Sequence, residues 1–391
     1  MNIFTLSKAP LYLLISLFLP TMAMAIDPPE RELSRFALKT NYLQSPDEGV
    51  YELAFDNASK KVFAAVTDRV NREANKGYLY SFNSDSLKVE NKYTMPYRAF
   101  SLAINQDKHQ LYIGHTQSAS LRISMFDTPT GKLVRTSDRL SFKAANAADS
   151  LFEHFRHMVY SQDSDTLFVS YSNMLKTAEG MKPLHKLLML DGTTLALKGE
   201  VKDAYKGTAY GLTMDEKTQK IYVGGRDYIN EIDAKNQTLL RTIPLKDPRP
   251  QITSVQNLAV DSASDRAFVV VFDHDDRSGT KDGLYIFDLR DGKQLGYVHT
   301  GAGANAVKYN PKYNELYVTN FTSGTISVVD ATKYSITREF NMPVYPNQMV
   351  LSDDMDTLYI GIKEGFNRDW DPDVFVEGAK ERILSIDLKK S

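Results

Sequence analysis

A short apolar run recurs seven times along the chain, and each copy is bounded by polar and turn-forming residues. The copies are rich in branched and aromatic residues: VFAAV at 62–66, LYIGH at 111–115, LFVSY at 167–171, IYVGG at 221–225, AFVVV at 267–271, LYVTN at 316–320 and LYIGI at 358–362. Their starts lie 49, 56, 54, 46, 49 and 42 residues apart. A period of this size is typical of a repeat protein with one supersecondary unit per repeat.

Each repeat has the same internal order, and that order predicts four strands. A first strand ends near Asp, Asn or Ser, and a short polar turn leads to the recurring strand; a third strand, mostly ending in Asp, and a fourth strand follow. The first strands are predicted at 51–56, 100–105, 156–161, 210–215, 256–261, 306–310 and 348–352. Branched and aromatic runs bounded by turn formers indicate strands. The sequence therefore predicts an all-β fold, a seven-bladed β-propeller of four-stranded antiparallel blades.

The last repeat stops after its third strand, at Leu388, and leaves one blade incomplete. The segment before the first repeat, around Leu33 to Lys39, is predicted to supply the missing strand and to close the ring. Without it, the backbone edge of the last blade would stand unpaired. The alternative is that residues 31–41 form a loose tail.

Composition adds an export leader and excludes several kinds of site. Residues 1–25 hold a single charge, Lys8, an apolar core at 11–20 and a small-residue cleavage pattern at 23–25, which predicts a cleaved signal peptide and a periplasmic protein without membrane insertion. Residues 26–391 are predicted to form one propeller domain. The absence of cysteine excludes disulfides, a thiolate nucleophile and cysteine-held metal, and no cofactor is expected. The formal net charge of −2 gives no global attraction to nucleic acid.

The variable loops mark one face of the predicted ring as the binding face, because function tends to lie on long loops held by a rigid scaffold. These loops are predicted at 68–77, 141–155, 172–186, 246–255, 273–283 and 363–381. The residues that enter the first strands should ring the channel mouth on this face: Glu52, Ser101, His157, Gly211, Asn257, Ala306 and Gln348. Just before them in the chain come Tyr51, Phe100, Arg156, Tyr210, Gln256, Asn305 and Asn347. The predicted ligand-binding set is Glu52, Arg98, Phe100, Arg156, His157, Tyr210, Asn257, Asn305, Asn347 and Gln348. Solvated channel lining is the alternative.

Three further chemistries have candidate residues in the sequence. His154 and His157 form a His-x-x-His pair that could share a metal ion, with a simple channel-mouth pair as the alternative. Cations and aromatic residues on the variable face are candidates for contact with single-stranded nucleic acid or a partner protein: Arg69, Arg72, Arg368 and Trp370. A carboxylate–imidazole pair of Glu52 with His157 is the only candidate for catalysis, and no nucleophile elbow or phosphate loop accompanies it.

The run from Tyr313 to Asp330 contains the tetrapeptide YVTN at 317–320, and it resembles the repeat of YVTN-type propellers at full length. Segments 49–55 and 345–348 resemble the first and last blades of YncE-like periplasmic proteins, and the similarity extends over residues 26–391. The resemblance implies a binding protein, with links to single-stranded DNA and to iron-responsive outer-membrane transport. Wider YVTN relatives include lactonase-like enzymes, so fold analogy does not choose between these functions.

From these observations we expect an exported, monomeric propeller that acts as a non-catalytic binding or scaffold module. Its expected partner is a protein of the cell envelope, linked to iron transport, or single-stranded nucleic acid. The alternative is a hydrolase or lyase of the lactonase-like propeller type, with its site at the channel mouth.

Overall fold

The computed structural model describes residues 38–70, 75–116, 121–140, 149–206, 209–225, 227–245, 255–272, 279–342, 345–365, 368–369 and 371–389. The predicted signal peptide, Arg72 and Trp370 lie outside these residues. The described chain forms seven four-stranded antiparallel sheets and contains no helix, so it also has no helical segment of the length and apolarity that crossing a bilayer requires. The predicted fold class, a seven-bladed propeller, is confirmed.

Each blade has an innermost strand followed by a strand buried on both faces. The innermost strands are β2 (Glu48–Asp56), β6 (Ala99–Asn105), β10 (Asp149–Ser161), β14 (Ala209–Asp215), β18 (Val255–Asp261), β22 (Ala304–Asn310) and β26 (Tyr345–Leu351). The second strands are β3 (Lys61–Asp68), β7 (Gln110–His115), β11 (Thr166–Thr177), β15 (Lys220–Gly225), β19 (Arg266–Val271), β23 (Glu315–Asn320) and β27 (Thr357–Lys363). The second strands are the recurring apolar runs, and both of their faces pack against neighbouring blades.

The third and fourth strands complete each blade toward its outer edge. The third strands are β4 (Gly77–Asn83), β8 (Ile123–Asp127), β12 (Gly180–Asp191), β16 (Tyr228–Asp233), β20 (Gly283–Asp288), β24 (Thr325–Asp330) and β28 (Arg382–Asp387). The fourth strands are β5 (Val89–Met95), β9 (Lys132–Thr136), β13 (Leu197–Val201), β17 (Thr238–Pro244), β21 (Gln294–Val298), β25 (Ser335–Asn341) and β1 (Lys39–Tyr42). Blades 1 to 7 are numbered here by the chain order of their innermost strands.

The core is divided into seven hydrophobic clusters of described residues, one between each pair of neighbouring blades. Between blades 7 and 1, for example, Phe55, Tyr80 and Val66 pack with Tyr359 and Ile383. Because each blade buries both faces only against its neighbours, the ring is stable as a whole, and its seven inner strands are held rigidly around the channel.

The N-terminal segment supplies the fourth strand of blade 7, as predicted, but at a different place. Strand β1 pairs with β28 in antiparallel register, with Lys39 opposite Ser385 and Tyr42 opposite Arg382. The prediction of Leu33 to Lys39 overlaps this strand only at Lys39. The predicted position was chosen for its apolar residues, and residues 33–37 lie outside the described chain. The observed outer strand is mostly exposed, and polar contacts hold it, such as the 2.8 Å bond from Asn41 Nδ2 to the carbonyl oxygen of Leu87.

Blade 3 also differs from the prediction, because two predicted loops contain long strands. Residues 172–186 belong to the β11–β12 hairpin, which pairs from Thr166 opposite Asp191 up to Thr177 opposite Gly180. Residues 149–155 belong to β10. The hairpin continues because it still has apolar surface to bury: Leu175 is 3% exposed and Leu184 packs on the cluster between blades 2 and 3.

The face opposite the mouth has a short turn with one left-handed residue in every blade. In blades 1 to 6 this is the residue before the second strand, with φ between 43° and 53°: Lys60, His109, Asp165, Gln219, Asp265 and Asn314. In blade 7 it is Met355, two residues before the second strand, with φ of 62°. None of the seven is glycine, so the turn is imposed by the strands that it joins. The short turns predicted for this face are therefore one repeated structure in six blades, with a variant in blade 7.

A candidate ligand site at the mouth of the channel

A β-bulge interrupts the innermost strand of every blade at the same level. The register between first and second strands breaks between Val50 and Glu52 in blade 1, and it breaks at the equivalent place in the other six blades. The residues inside the bulges are Tyr51, Phe100, Arg156 with His157, Tyr210, Gln256, Asn305, and Asn347 with Gln348. A bulge residue has no partner in the ladder, and its side chain is turned away from the regular pleat.

All of these bulge residues line one cavity of about 480 Å³ at the mouth of the channel. This mouth cavity is also lined by Glu52, His154, Phe272, Phe321 and Lys363. The sequence pattern did not indicate Phe272, Phe321 and Lys363 as site residues. They lie at or just after the end of a second strand, so the same position in each repeat was the signal that could have found them.

Aromatic rings form a wall on the side of the cavity made by blades 6, 7, 1 and 2. The ring centroids of Tyr51 and Phe100 are 4.7 Å apart with 37° between the planes, and Phe321 stacks on Tyr345 at 4.4 Å with an angle of 8° between the planes. The Lys363 ammonium lies 3.7 Å from the centroid of the Tyr51 ring. Paired rings hold one another in place, so this wall is a preformed aromatic surface.

Arg156 is a partly buried cation on the opposite side of the cavity. Its Nη2 donates to Gln256 Oε1 at 3.2 Å, and its guanidinium lies 5.4 Å from the centroid of the Tyr210 ring. Its Nε is buried and has no hydrogen-bond partner among the described residues, and no described carboxylate lies within ion-pair distance. Burial lowers the pKa of Arg156, and Tyr210 and Glu52 oppose that shift.

Glu52 and His157 form the predicted carboxylate–imidazole pair, with 3.6 Å between Glu52 Oε2 and His157 Nδ1. Burial lowers the pKa of His157, and so do Arg156 and Lys308, while Glu52 opposes the shift. The imidazole is therefore neutral at neutral pH. Its Nε2 is buried and has no hydrogen-bond partner in the described structure. A neutral imidazole in this position can accept or donate one hydrogen bond to a bound molecule.

The pair also lies where the mouth cavity meets a second cavity of about 310 Å³, farther along the channel. Glu52, His157 and Gln348 line both cavities, whereas Asn257 and Lys308 line only the second. Burial lowers the pKa of Lys308, and Glu52 opposes that shift. Asn257, predicted at the mouth, is therefore one level deeper than the other predicted ligand-binding residues.

The predicted metal pair lies in surroundings that favour anions over cations. His154 lines the mouth cavity, and burial, with Arg156, His185 and His157 as further causes, lowers its pKa to about 3. Within the described ranges, no group of three or more His, Asp or Glu side chains is arranged to hold a metal ion. Metal binding at His154 and His157 stays a prediction, and the described chain offers no third protein ligand for it.

Three of the predicted site arginines lie away from the mouth cavity. The Arg98 guanidinium is buried and donates to the Asp68 carbonyl oxygen and to Thr67 Oγ1. Arg69, predicted as an exposed contact residue, is only 8% exposed, and its Nη1 lies 3.4 Å from Glu381 Oε1. Arg368 is exposed and lies 3.9 Å from Glu377. Of the predicted contact cations that the structure describes, only Arg368 is on the surface.

Comparison with known proteins places the chain near one group of propellers. It is 28% identical over 326 residues to a protein of Salmonella typhi, which covers 82% of this chain and 85% of that protein. It is 25% identical over 322 residues to a protein of Escherichia coli (strain K12), covering 81% of this chain and 83% of that protein. Both carry the name "Uncharacterized protein YncE". No family model matches the chain. The similarities and the seven blades confirm the resemblance to YncE-like propellers.

Proposed function

We propose that this YncE-like propeller is a non-catalytic binding protein whose ligand occupies the mouth cavity. The observation that carries the proposal is the set of seven bulges, because each one places at least one side chain into the same cavity. Bulges re-aim side chains, and they are over-represented next to functional sites. Because the bulge recurs in every blade, the repeat brings all of these side chains to one level of the channel.

The shape and composition of the cavity support this function. Its volume of about 480 Å³ lies within the range of small-molecule sites. Aromatic rings line one side, and amides from blades 5, 6 and 7 supply hydrogen-bonding groups: Gln256, Asn305, Asn347 and Gln348. Asn305 Nδ2 donates to Asn347 Oδ1 at 2.8 Å, so two of these amides are already oriented. A preformed site loses little conformational entropy when its ligand binds.

We also propose export to the periplasm, based on the leader pattern at residues 1–25. A protein partner linked to iron transport, or single-stranded DNA, is the class of partner that the resemblance implies. The cavity accepts a small molecule or the end of a larger one. It is too small to hold a continuous polynucleotide, which binds along an extended groove. Short oligonucleotides are therefore included in the binding experiment below, where they should compete with small ligands if their ends enter the cavity.

The Glu52–His157 pair is the one observation that favours a catalytic alternative. A neutral imidazole beside a carboxylate can act as a general base on water, as hydrolysis of a lactone requires. If the protein is an enzyme of this type, His157→Ala abolishes turnover of lactone or ester probes without loss of stability. Turnover by the wild-type protein that disappears in this variant contradicts the binding proposal.

The binding proposal is tested by filling the cavity. Asn347 is partly exposed to the mouth cavity, so Asn347→Trp places an indole there. Asn91, exposed on the outer strand β5, provides the matched control, Asn91→Trp. Ligand-observed NMR with small anionic, neutral and cationic fragments and short oligonucleotides should give signals that Asn347→Trp removes and Asn91→Trp retains. Equal signals from both variants would place binding outside the cavity.

A further inference from the structure

Arg156 is partly buried, and it lacks the carboxylate that other partly buried arginines of the described chain face. Arg338 Nη2 lies 2.8 Å from Glu315, and Arg382 Nη2 lies 3.0 Å from Glu364. Arg156 has one amide oxygen and one aromatic face instead, and its Nε is buried without a hydrogen-bond partner in the described structure. A charge shielded from water without a paired counter-charge costs free energy, so its position at the mouth cavity calls for an explanation.

The other charges around the cavity do not compensate Arg156. Glu52 is the one carboxylate among the described residues that line the cavity, and it faces His157 at 3.6 Å. Lys363 also lines the cavity, but its Nζ donates to the Val50 carbonyl oxygen at 2.8 Å and lies 3.6 Å from Glu381. Lys308 adds a further buried cation one level deeper. The described site therefore carries excess positive charge, centred on Arg156.

The donor geometry of Arg156 suits a single flat anion. Nη2 is engaged with Gln256, while Nε, on the same edge of the guanidinium, is buried without a partner in the described structure. A carboxylate can bind such an edge through two parallel hydrogen bonds. The Tyr210 ring, with its centroid 5.4 Å from the guanidinium carbon, restricts the movement of the guanidinium and so favours one direction of approach for the acceptor.

The rest of the cavity suits a planar apolar body attached to that anion. The rings of Tyr51, Phe100 and Phe321 form the wall on blades 1, 2 and 6, while Arg156 lies on blade 3. A ligand that bridges the two sides needs a ring at one end and a negative group at the other. The amides of Asn305 and Asn347 then lie at the rim, where polar ring substituents can bind.

We propose that the mouth cavity binds an organic monoanion with a planar ring, an aromatic carboxylate, with the carboxylate at Arg156 and the ring against the aromatic wall. This inference rests on the proposed binding function and specifies its ligand class. The bound carboxylate supplies the counter-charge that the protein lacks at this position. The Nε–H of Arg156 then gains its missing acceptor.

The test uses benzoate as the probe and compares it with benzamide, cyclohexanecarboxylate and inorganic phosphate, by calorimetry or ligand-observed NMR on the full chain. Benzoate should bind at least about 10-fold more tightly than neutral benzamide, since a hydrogen bond to a charged group is worth more than a neutral one. Cyclohexanecarboxylate, which has no planar ring, should bind about 3-fold to 10-fold more weakly than benzoate. Arg156→Gln should weaken benzoate about 10-fold or more and leave benzamide unchanged, and Arg156→Lys should give an intermediate result.

Several outcomes would overturn the ligand class. These are equal binding of benzoate and benzamide, no effect of Arg156→Gln on benzoate, phosphate binding as tightly as benzoate, or no binding of benzoate at all. If Asn347→Trp still removes binding of a neutral or cationic fragment in that case, the proposed binding function stands and only the ligand class fails. If Asn347→Trp removes no fragment signal, both proposals fail.

Discussion

Arg69 is buried and Arg156 is partly buried, each beside a pocket at the mouth of the channel, and their surroundings are opposite. Arg69 lies 3.4 Å from the Glu381 carboxylate and donates through Nε to the Pro46 carbonyl oxygen at 3.0 Å. It also reaches the carbonyl oxygens of Gly365 at 3.3 Å and Ala379 at 3.4 Å. Arg156 has Gln256 and a tyrosine ring. The comparison teaches that a fully partnered buried charge joins blades, whereas an under-partnered one faces a cavity.

The partnered charge belongs to a network that ties blade 1 to blade 7. Glu381 accepts a hydrogen bond from the Val50 backbone N–H at 2.6 Å and lies 3.6 Å from Lys363. Burial raises the pKa of Glu381, and Lys363 and Arg69 oppose that shift. Because Val50 lies in the innermost strand of blade 1 and Glu381 immediately precedes the third strand of blade 7, this network stabilises the ring where the first and last blades meet.

The largest expected effect comes from breaking this network. Arg69→Ala removes the guanidinium and leaves the Glu381 carboxylate with only Lys363 as a counter-charge. We expect the free energy of unfolding to fall by about 3–5 kcal/mol, as is usual when one partner of a buried ion pair is lost. Denaturant unfolding measures this change.

The double variant Arg69→Ala with Glu381→Gln provides the control. Glutamine keeps an oxygen for the Val50 N–H but carries no charge, so the double variant should lose less stability than the sum of the two single variants. Simple additivity would show that the arginine and the carboxylate do not interact, and the comparison with Arg156 would lose its structural side.

The second effect is a loss of stability at acidic pH, where a buried histidine of the scaffold becomes protonated without a counter-charge. His115 in blade 2 is fully buried, and its burial, with a minor contribution from Arg122, lowers its pKa to about 4. A lowered histidine pKa contributes stability above the unfolded pKa of about 6.5, and that contribution is lost as the pH falls toward 4. The protein should therefore become less stable between pH 6.5 and 4.

Blade 6 shows which residue can replace His115. Asn320 lies at the same repeat position, and its Nδ2 donates to Ser327 Oγ at 3.0 Å, just as His115 Nε2 lies 2.7 Å from Ser124 Oγ. His115→Asn should reduce the slope of stability against pH in this range by about 1.4 kcal/mol per pH unit, the value for one proton. Unfolding curves at several pH values measure the slope. An unchanged slope would show that His115 does not titrate between the two states.

The third effect should have the opposite sign to that of Arg69→Ala. Arg156→Gln removes a partly buried cation that has no carboxylate partner within the described chain, so the unliganded protein should become more stable by about 1 kcal/mol. Thermal unfolding without and with benzoate separates the two roles, because benzoate should stabilise the wild-type protein and not the variant. Destabilisation as large as that of Arg69→Ala would make Arg156 a structural residue.

The smallest effect is expected at Arg368, the surface cation. Its side chain is 76% exposed and lies 3.9 Å from Glu377, which is also exposed. Exposed pairs of this kind contribute little, so Arg368→Ala should change the free energy of unfolding by less than about 0.5 kcal/mol. The same variant tests its predicted role in partner contact, since binding of an oligonucleotide should weaken only if Arg368 takes part.

The repeat made most of the fold predictable. Local patterns in LYVTN and its six counterparts indicate a strand, and a period near 50 residues gives the number of blades. The closing strand was harder to place, because Lys39 to Tyr42 is an exposed outer strand without apolar periodicity. The sequence pattern predicts a loop where blade 3 has its long hairpin, because the outer half of the hairpin is polar and its pairing depends on the neighbouring strand.

The sequence indicates where the site residues lie along the channel, but it does not indicate which of the arginines have a carboxylate partner. Tyr51, Phe100 and the five residues at equivalent repeat positions all line the mouth cavity, because equivalent positions of a repeat come to the same level of the ring. Ser101, Gly211 and Ala306, one position later in the predicted ring, are not among the lining residues. Arg69 and Arg156 look alike in sequence, and only the approach of residues about 300 positions apart gives Arg69 a carboxylate. Such pairing depends on ring closure, which no local pattern contains.

The seven bulges allow the ligand-binding side chains to change in evolution independently of the residues that determine the fold. A bulge residue takes no part in the register of its strand, so a change of side chain there leaves the pairing and the inter-blade packing intact. Nine positions, one or two in each blade, are thus open to substitution at little cost to stability. The same backbone can be refitted for a new ligand by exchanging those side chains, and a library restricted to them is the natural starting point for engineering a receptor from this ring.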